Sequence, residues 1–320
     1  MKRAIVRYMV VGCLTLLCSL SLSACKDDDN LIIPVEPYIQ DHPLPEGQGR
    51  LRVLTIGNSF AEDAMYYVPA IMESLGVDPA TYSAYFAAHS AASLQHWCEV
   101  AESGETVELT YRGGGRMAVE QGSLSEILAQ DWDVITLMQY SELSINYDTF
   151  NPWLRQLIDQ IRQHCTNPNV TLAWQMAWSY NDTYVTDYSN YERWSLIALA
   201  TQIMSKYDGI DVIIPVGTTI QNARNTSLNS ASQLTRDGWH LNACIGRYLA
   251  ACTVVQSLFA PVYGITVQND RSQLDIPDLS PQYFLPEPVT DENRPICHQC
   301  VINAVEQPFM VLGSNSYSVR

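Results

Sequence analysis

The sequence predicts an α/β fold in which a five-stranded parallel sheet lies between layers of helices. Five apolar, strand-like runs alternate with segments long enough for helices, which is the order typical of parallel βαβ units. The runs DVITLM and DVIIPV are apolar on both faces, as expected for strands that helices cover on both sides. The strand runs are residues 51–56, 81–87, 133–138, 170–176 and 210–216, and the helical segments lie near 62–75, 92–102, 149–166 and 187–207.

Local patterns inside this alternation predict one amphipathic helix and one hairpin. Leu154, Leu157, Ile158 and Ile161 recur at the 3.6-residue period of a helix with a single buried face. The segments TVELTY and RMAVE flank the glycines of RGGG, which suit a tight turn. We therefore expect a hairpin inserted between two of the parallel strands.

The first 24 residues have the layout of a secretory signal peptide. Three basic residues precede an apolar stretch, residues 8–22, that is short for a membrane span. The tetrapeptide LSAC follows and resembles the lipobox of bacterial lipoproteins, in which the cysteine is lipidated and becomes the mature N-terminus. Ordinary secretion after Ala24 is the alternative, but Cys25 at the cleavage point favours lipidation.

Residues 25–49 are expected to hold the lipidated cysteine and a flexible linker. The linker contains four prolines and little apolar periodicity. The run KDDD after Cys25 resembles the acidic signal that sends some Gram-negative lipoproteins to the outer leaflet, and a solvated tether is the alternative. The expected location is the outer membrane, with display on the cell surface left open.

The remaining residues, 50–320, suffice for one large α/β domain that includes a C-terminal helix. The whole chain has 18 Lys+Arg and 34 Asp+Glu, and loss of the three basic signal residues changes the net charge from -16 to -19. Such a charge argues against nucleic acid and against anionic lipid as partners. Contact with a membrane is therefore expected only through the lipid anchor.

Nine cysteines do not by themselves define a disulfide framework. Two lie in the signal and Cys25 takes the lipid, while the spacing of the other six does not separate buried thiols from bridges. Cys297 and Cys300 in CHQC are compatible with redox or zinc chemistry, but Val301 and Ala304 continue them at helical spacing. A four-ligand zinc site needs a second pair, which the sequence does not provide. We interpret CHQC as a buried helix face and predict no metal site.

Polar residues follow the first predicted strand, at the edge where ligands bind in parallel α/β sheets. Ser59 in IGNSF follows the end of that strand and precedes a helix whose free N–H groups are expected to face a ligand. A structural role as helix N-cap is the alternative for this serine. Late in the domain, LTRDGWHLN contains Asp237 and His240 three positions apart. Because a serine needs a histidine to remove its proton and a carboxylate to orient that histidine, the three residues form a candidate catalytic triad.

These motifs resemble those of the SGNH, or GDSL-like, hydrolases, which have a flavodoxin-like three-layer α/β/α fold. IGNSF is similar to the first family block, with Ser59 as nucleophile, and DGWH to the last, with Asp237 and His240. A more specific likeness is to a branch of domains of unknown function that share IGNSF, VITLMQ, WQMAW, IPVGTTIQNAR and DGWHLN, and it runs from about residue 50 to 259. The resemblance implies a serine ester hydrolase that needs no metal or organic cofactor.

The chain departs from the family pattern around the oxyanion hole. Asn58 stands where many members have aspartate, which affects the geometry of the turn. The second block usually supplies a glycine N–H, whereas this sequence offers the N–H of Ser90 or Ala91, which is possible because a backbone donor needs glycine only where φ is positive. In the third block Gln139 replaces an asparagine whose amide donates to the oxyanion, with a plain strand terminus as the alternative. The expected hole consists of N–H groups from Ser59, Ala91 and Gln139.

The resemblance implies ester hydrolysis through an acyl-enzyme, with an acylated glycan as the expected substrate. Aromatic residues in WQMAWSYNDTYVTDY are predicted near the crevice, and aromatic faces stack on sugar rings, although core packing is the alternative. Trp178 and Tyr180 are the candidate substrate contacts. The groups expected to be removed are acetyl or other short acyl groups. Lipid and thioester substrates stay open.

Two other functions are consistent with the same residues. A catalytically impaired, glycan-binding surface lipoprotein is one, because the second-block glycine is missing and Gln139 replaces asparagine. A structural surface lipoprotein without a small ligand is the other. The intact set of Ser59, Asp237 and His240 favours the esterase.

Overall fold

In the part of the chain that the computed structural model describes, the five strand runs and the hairpin form one mixed sheet of seven strands. The structure describes residues 50–113, 116–184, 187–207, 209–280, 282, 284 and 287–313, all within one compact unit, Ile33–Arg320. The predicted signal peptide, the lipidation site at Cys25 and the linker to residue 49 lie outside the described residues.

The strands are β1 Leu51–Gly57, β2 Tyr82–Ala88, β3 Thr106–Gly113, β4 Arg116–Ser123, β5 Val134–Leu137, β6 Thr171–Gln175 and β7 Val212–Ile214. They follow the order β4-β3-β2-β1-β5-β6-β7 across the sheet. β1 pairs in parallel with β2 and β5, β5 pairs in parallel with β6, and β6 with β7. Every residue of β5, β6 and β7 is buried, as expected for strands with helices on both faces.

The predicted hairpin forms, and it changes the sheet. β3 and β4 pair antiparallel from Thr106↔Ser123 to Gly113↔Arg116, and β3 also pairs antiparallel with β2. The predicted five-stranded parallel sheet is therefore not confirmed: the five predicted strands pair in parallel, and the hairpin adds two antiparallel strands to the same sheet. The physical reason is that β2 needs a partner for its second row of backbone N–H and C=O groups, and the hairpin supplies it.

The helices cover both faces of this sheet. The chain moves from β1 to β2 in one direction and from β5 to β6 and β7 in the other, so right-handed crossovers put the connecting helices on opposite faces. The helices are α1 Ser59–Met65, α2 Val68–Ser74, α3 Leu94–Ser103, α4 Leu124–Leu128, α5 Trp153–His164, α6 Asn190–Tyr207, α7 Val216–Arg224, α8 Ile245–Val254, α9 Ala260–Tyr263 and α10 Arg294–Glu306. α1 and α2 pack with α8, whereas α3 and α4 pack with α5.

Two sequence patterns explain where helices begin and which face they bury. The predicted helix at 62–75 is divided into α1 and α2, because Pro69 lacks the N–H that a continuous helix would need. The predicted apolar face of α5 is confirmed, since its four aliphatic residues at helical spacing are the buried ones.

The C-terminal part of the domain is built around a core helix. The segment Ile245–Tyr263 is the one helix among the described residues that is long and apolar enough to cross a membrane. However, 83% of its most apolar 18-residue stretch is buried inside the protein. α10 packs against α7 and α8. Cys297 and Cys300 are fully buried on α10, as the helix-face interpretation predicts. All six cysteines of the described residues are free thiols.

A buried histidine on α10 makes the stability of the domain dependent on pH. Nε2 of His298 lies 2.7 Å from the hydroxyl of Tyr248, which donates to Asp270. Burial lowers the pKa of His298 to about 4; Asp270 raises this pKa, and Arg294 and Arg271 lower it. In the unfolded chain the same imidazole titrates near pH 6.5. The folded state therefore binds the proton less readily than the unfolded state.

We expect the free energy of unfolding to fall by about 2 to 3 kcal/mol between pH 7 and pH 4.5 because of this histidine alone. The contribution is complete above pH 6.5 and is lost as the pH falls towards 4. Urea unfolding of the wild type and of His298→Gln at both pH values measures it. A pH dependence of equal size in both proteins would contradict this assignment.

Candidate active site

The candidate site lies at the carboxyl ends of β1 and β5, where the direction of the strand order reverses. Ser59 is the first residue of α1 and follows β1 after a single residue. Asn58 is the N-cap: its Oδ1 accepts from the N–H of Phe60 at 3.0 Å, and its Nδ2 donates to the carbonyl of Ala92 at 3.0 Å. Because Asn58 caps the helix, the Ser59 hydroxyl is left for another partner.

Gly57 allows the end of β1 to approach its neighbours closely. A Cβ at this position would lie 2.6 Å from Sδ of Met138 and 2.8 Å from Cβ of Ala61. The Gly57 carbonyl in turn accepts from Nε1 of Trp97 at 3.0 Å. The glycine of IGNSF therefore serves the close packing of β1, β5 and α1 directly below Ser59.

The structure brings Ser59, His240 and Asp237 into one chain of hydrogen bonds. The hydroxyl of Ser59 lies 2.8 Å from Nε2 of His240, and Nδ1 of His240 lies 2.6 Å from Oδ2 of Asp237. Oδ1 of Asp237 accepts from the backbone N–H groups of His240 at 2.8 Å and of Trp239 at 3.2 Å. Ser59 and His240 are 181 positions apart in the sequence, so only the fold brings their side chains together.

Two groups compete for Nδ1 of His240. The indole Nε1 of Trp239 lies 2.5 Å from this nitrogen, which Asp237 also approaches. Nδ1 either donates to the carboxylate or accepts from the indole, and the charge-assisted bond to Asp237 is the stronger of the two. Burial raises the pKa of Asp237, but the hydrogen bond and charge of His240 and two backbone N–H groups lower it by more, so its net pKa is below the usual range. Asp237 is therefore an ionised acceptor.

The loop that carries Asp237 and His240 is held from outside by the chain after β6. Gly238 has φ of +102°, and a Cβ there would lie 2.7 Å from the ring of Tyr184. The carbonyl of Gly238 accepts from the N–H of Asn181 at 2.7 Å, and the carbonyl of Trp239 accepts from Nε1 of Trp178 at 2.6 Å. Glycine is thus required inside DGWH for the loop to fit against its neighbours.

A small pocket of about 120 Å³ opens at Ser59 and His240. This volume is well below the range of sites that enclose drug-sized ligands. The other residues that line it are Asn58, Phe60, Ser90, Ala91, Tyr140, Ser141, Glu142, Tyr180 and Trp239.

Ala91 has the backbone conformation that favours glycine. Its φ is +55°, whereas the neighbouring pocket residue Ser90 has no such conformation. An L-residue in this region carries a steric cost that glycine lacks. Ala91 is therefore the residue of this segment whose backbone matches that of a glycine.

We expect Ala91→Gly to raise the free energy of unfolding by about 1 kcal/mol, because glycine relieves the strain of a positive φ. Chemical denaturation measures the change. Ala88→Gly is the matched control, since Ala88 is a strand residue of β2 and glycine is expected to destabilise it. A loss of stability at position 91 equal to that of the control would contradict the expectation.

Gln139 is not positioned as the sequence predicts. Its Nε2 donates to the carbonyl of Thr149 at 3.0 Å and approaches the Thr149 hydroxyl at 3.4 Å, while Oε1 accepts from the N–H groups of Leu94 and Tyr140. Turning the amide over would set Nε2 against two donors, so this orientation is fixed. Gln139 is buried and does not line the pocket. The expectation that its amide contributes to the oxyanion hole is therefore wrong for this geometry.

The two predicted aromatic contacts differ from each other. Trp178 is fully buried and stacks on Phe60 at 3.8 Å between ring centroids, so the expectation that it touches substrate is wrong. Tyr180 lines the pocket, and its hydroxyl lies 2.8 Å from that of Ser141. Burial raises the pKa of Tyr180 to about 12, and Arg193 stacks over its ring at 3.9 Å.

Sequence reasoning missed several residues that the structure brings to the site. Trp239 and Tyr140 line the pocket, and each is adjacent to a residue that the sequence had singled out. Their position next to His240 and Gln139 was the available signal. Asp63, four residues after Ser59 on α1, accepts from Arg236 and from the N–H of Leu241. No motif pointed to that contact.

Fold and site together define an α/β protein with a Ser–His–Asp constellation at the switch point of its sheet. The sequence model of DUF4886, a domain of unknown function, matches residues 52–273, and the chain belongs to that family. A DUF4886 family protein from Bacteroides uniformis has a solved structure with a TM-score of 0.69 and 24% identity, which covers 84% of this chain and 100% of that one. This likeness is one of fold.

A second solved structure is a GDSL-like lipase from Bacteroides thetaiotaomicron. It has a TM-score of 0.35 and 10% identity, and the match covers 65% of this chain and 87% of the lipase. No curated protein matches the chain.

Proposed function

We propose that this protein is a serine esterase that removes acetyl or other short acyl groups from carbohydrate. The observation that supports the proposal is the hydrogen-bonded chain from the Ser59 hydroxyl through His240 to Asp237, with distances of 2.8 and 2.6 Å, at the mouth of a pocket. These distances are within the reach that a nucleophile, a general base and an orienting carboxylate need.

In the proposed mechanism, Nε2 of His240 accepts the Ser59 proton as Oγ attacks the ester carbonyl. Asp237 holds the proton on Nδ1 and stabilises the imidazolium that forms. His240 then gives the proton to the departing alcohol, which leaves an acyl group on Ser59. Water attacks the acyl-enzyme with His240 again as base, and the acid is released. None of these steps needs a metal or an organic cofactor.

Two backbone groups are the proposed oxyanion donors. The N–H of Ser59 begins α1 and has no acceptor within that helix, and the helix N-terminus favours negative charge. Ala91 adds an N–H from a backbone with the conformation of glycine. Each such donor is worth about 3 kcal/mol of barrier. Gln139, whose amide is bonded to Thr149, has no part in this hole.

The size and lining of the pocket support the substrate class. A pocket of about 120 Å³ accommodates a short acyl group rather than a fatty acyl chain. Tyr140, Tyr180 and Trp239 line it, and such side chains combine an apolar face with a polar group, as sugar binding requires. We further propose that the enzyme is an outer-membrane lipoprotein attached through Cys25, which puts the domain in contact with external glycans.

A glycan-binding protein with impaired chemistry is the second candidate. The observation that favours it is the orientation of Gln139, which leaves the proposed hole with two backbone donors and no side-chain amide. Ala91 in place of glycine is a further departure from the resembling family. The aromatic lining of the pocket serves either function.

Labelling with a fluorophosphonate, which reacts with activated serines, separates the candidates. The full chain, Ser59→Ala and Ser90→Ala are incubated with the probe and with a 4-nitrophenyl acetate substrate. Ser90 lines the same pocket but is not bonded to His240, so it is the matched control. We expect label and turnover in the wild type and in Ser90→Ala and neither in Ser59→Ala.

If the wild type neither labels nor exceeds Ser59→Ala in turnover, the esterase proposal fails. The wild type and Ser59→Ala are then also tested for glycan binding. Binding by both proteins without labelling or turnover supports the glycan-binding protein. Absence of labelling, turnover and glycan binding supports a structural lipoprotein.

A further inference from the structure

Asp63 is a buried carboxylate that joins two parts of the candidate site. It lies on α1 four residues after Ser59, which puts both side chains on one face of the helix. The side chain is 1% exposed. It accepts from Nη1 of Arg236 at 3.0 and 3.1 Å, from Nε of Arg247 at 2.8 Å and from the N–H of Leu241 at 2.9 Å.

Arg236 and Leu241 flank the loop that carries Asp237 and His240. The backbone N–H of Arg236 donates to the carbonyl of His240 at 2.9 Å, and its Nη1 donates to the carbonyl of Leu241 at 2.5 Å. Thr235 and Leu241 form an antiparallel bridge, which closes the loop at its base. Asp63 therefore holds both ends of the catalytic loop from the helix that presents the nucleophile.

Asp63 is the counter-charge for two arginine side chains. Arg247 is 2% exposed and Arg236 is 12% exposed, so two guanidinium groups are removed from water beside one carboxylate. Arg247 also stacks over the ring of Tyr66 at 4.3 Å. Buried ion pairs are weak evidence for stability, but they fix geometry, because each charge has to stay beside its partner.

We propose that Asp63 is a positioning residue that sets the contact between Ser59 and His240. The inference rests on the proposed esterase function. The carboxylate touches neither reacting atom: it fixes the loop against α1, and the loop fixes His240. A displacement of about 1 Å between reacting groups costs on the order of 100-fold in rate.

The experiment weakens the contact without leaving a charge unpaired. Asp63→Asn would leave Arg236 and the buried Arg247 without a counter-charge and risks unfolding the protein. Arg236→Gln is preferred, because the Asp63–Arg247 pair stays intact. We expect kcat of Arg236→Gln to fall about 10- to 100-fold with KM changed less than about twofold, and Arg236→Lys to recover part of kcat.

Asp270→Asn is the control for a purely structural effect. Asp270 is as buried as Asp63 and is paired with Arg294 at 3.0 Å, but it lies beside α8 and α10, away from the pocket. The variant is expected to lose stability and to keep the kcat of the wild type. Rates are measured on the full chain and normalised to the folded fraction from circular dichroism. If Asp270→Asn does not fold, Arg294→Lys replaces it.

Hydrogen exchange provides a readout that does not depend on turnover. Peptides covering residues 235–241 are expected to exchange faster in Arg236→Gln than in the wild type. Their exchange is expected to be unchanged in the control, Asp270→Asn. If the wild type turns over the ester and Arg236→Gln has the same kcat, the positioning role of Asp63 is overturned and the esterase proposal stands. Absence of turnover in the wild type overturns both. A fall in kcat of equal size in the control overturns the positioning role.

Discussion

Replacement of His240 by alanine is expected to lower kcat for ester hydrolysis by about 10⁶-fold, with little change in KM. Without an imidazole 2.8 Å from Oγ, nothing removes the proton of Ser59 at neutral pH. Turnover of a short acyl ester by the purified variant measures the loss. The pocket keeps its other lining residues, so ground-state binding is retained.

The same experiment contains a test of whether the residues act as a unit. The double variant Ser59→Ala/His240→Ala is expected to be no slower than either single variant, because each single change already removes the whole nucleophilic pathway. Losses that multiply instead would mean that Ser59 and His240 act in separate steps. His96→Ala serves as the control, since this histidine is absent from the pocket lining.

Asp237→Asn is expected to lower kcat by about 10⁴-fold while the fold is kept. In the wild type the ionised carboxylate holds the proton on Nδ1 of His240 and leaves Nε2 free to accept from Ser59. An asparagine amide can donate to Nδ1 instead. That reverses the tautomer and puts a proton on the nitrogen that must act as base.

Trp239 is a second hydrogen-bond partner of Nδ1 of His240, which bears on the prediction for Asp237→Asn. Its indole N–H lies 2.5 Å from the same Nδ1, ready to donate once the carboxylate is gone. On a short acyl ester without a sugar, we therefore expect Trp239→Phe to keep the kcat of the wild type and Asp237→Asn/Trp239→Phe to be no slower than Asp237→Asn. Steady-state rates over pH 6 to 9 measure both. A large loss in Trp239→Phe alone would mean that the indole, and not Asp237, is the required partner of Nδ1.

Much of the fold follows from local sequence. Apolar, strand-like runs predicted β1, β2, β5, β6 and β7 to within a few residues. For β5 and β7 the runs are apolar on both faces, because burial between two helix layers leaves no room for polar alternation. Edge pairing is a different matter. Residues 106–123 predict a hairpin from their turn glycines, but nothing local indicates that β2 offers it an edge.

The site divides along a similar line. Ser59, Asp237 and His240 were found because each stands in a short motif whose chemistry is known in general terms. Gln139, after a strand end, and Trp178, in the loop after β6, were misassigned because a residue type does not reveal where its side chain points. The Gln139 amide is bonded to Thr149 and Leu94, which come from two other segments of the chain.

By itself, the sequence determined the α/β class, the alternation of strands and helices and the three residues of the candidate triad. These depend on periodicity and on residue chemistry, which are local properties. Only the tertiary structure decided that the sheet is mixed and that Asn58, not Ser59, caps α1. The same holds for the contact of Asp63 with the loop that carries Asp237 and His240. Contacts between segments far apart in the chain depend on the packing of the whole domain, and no local pattern carries that information.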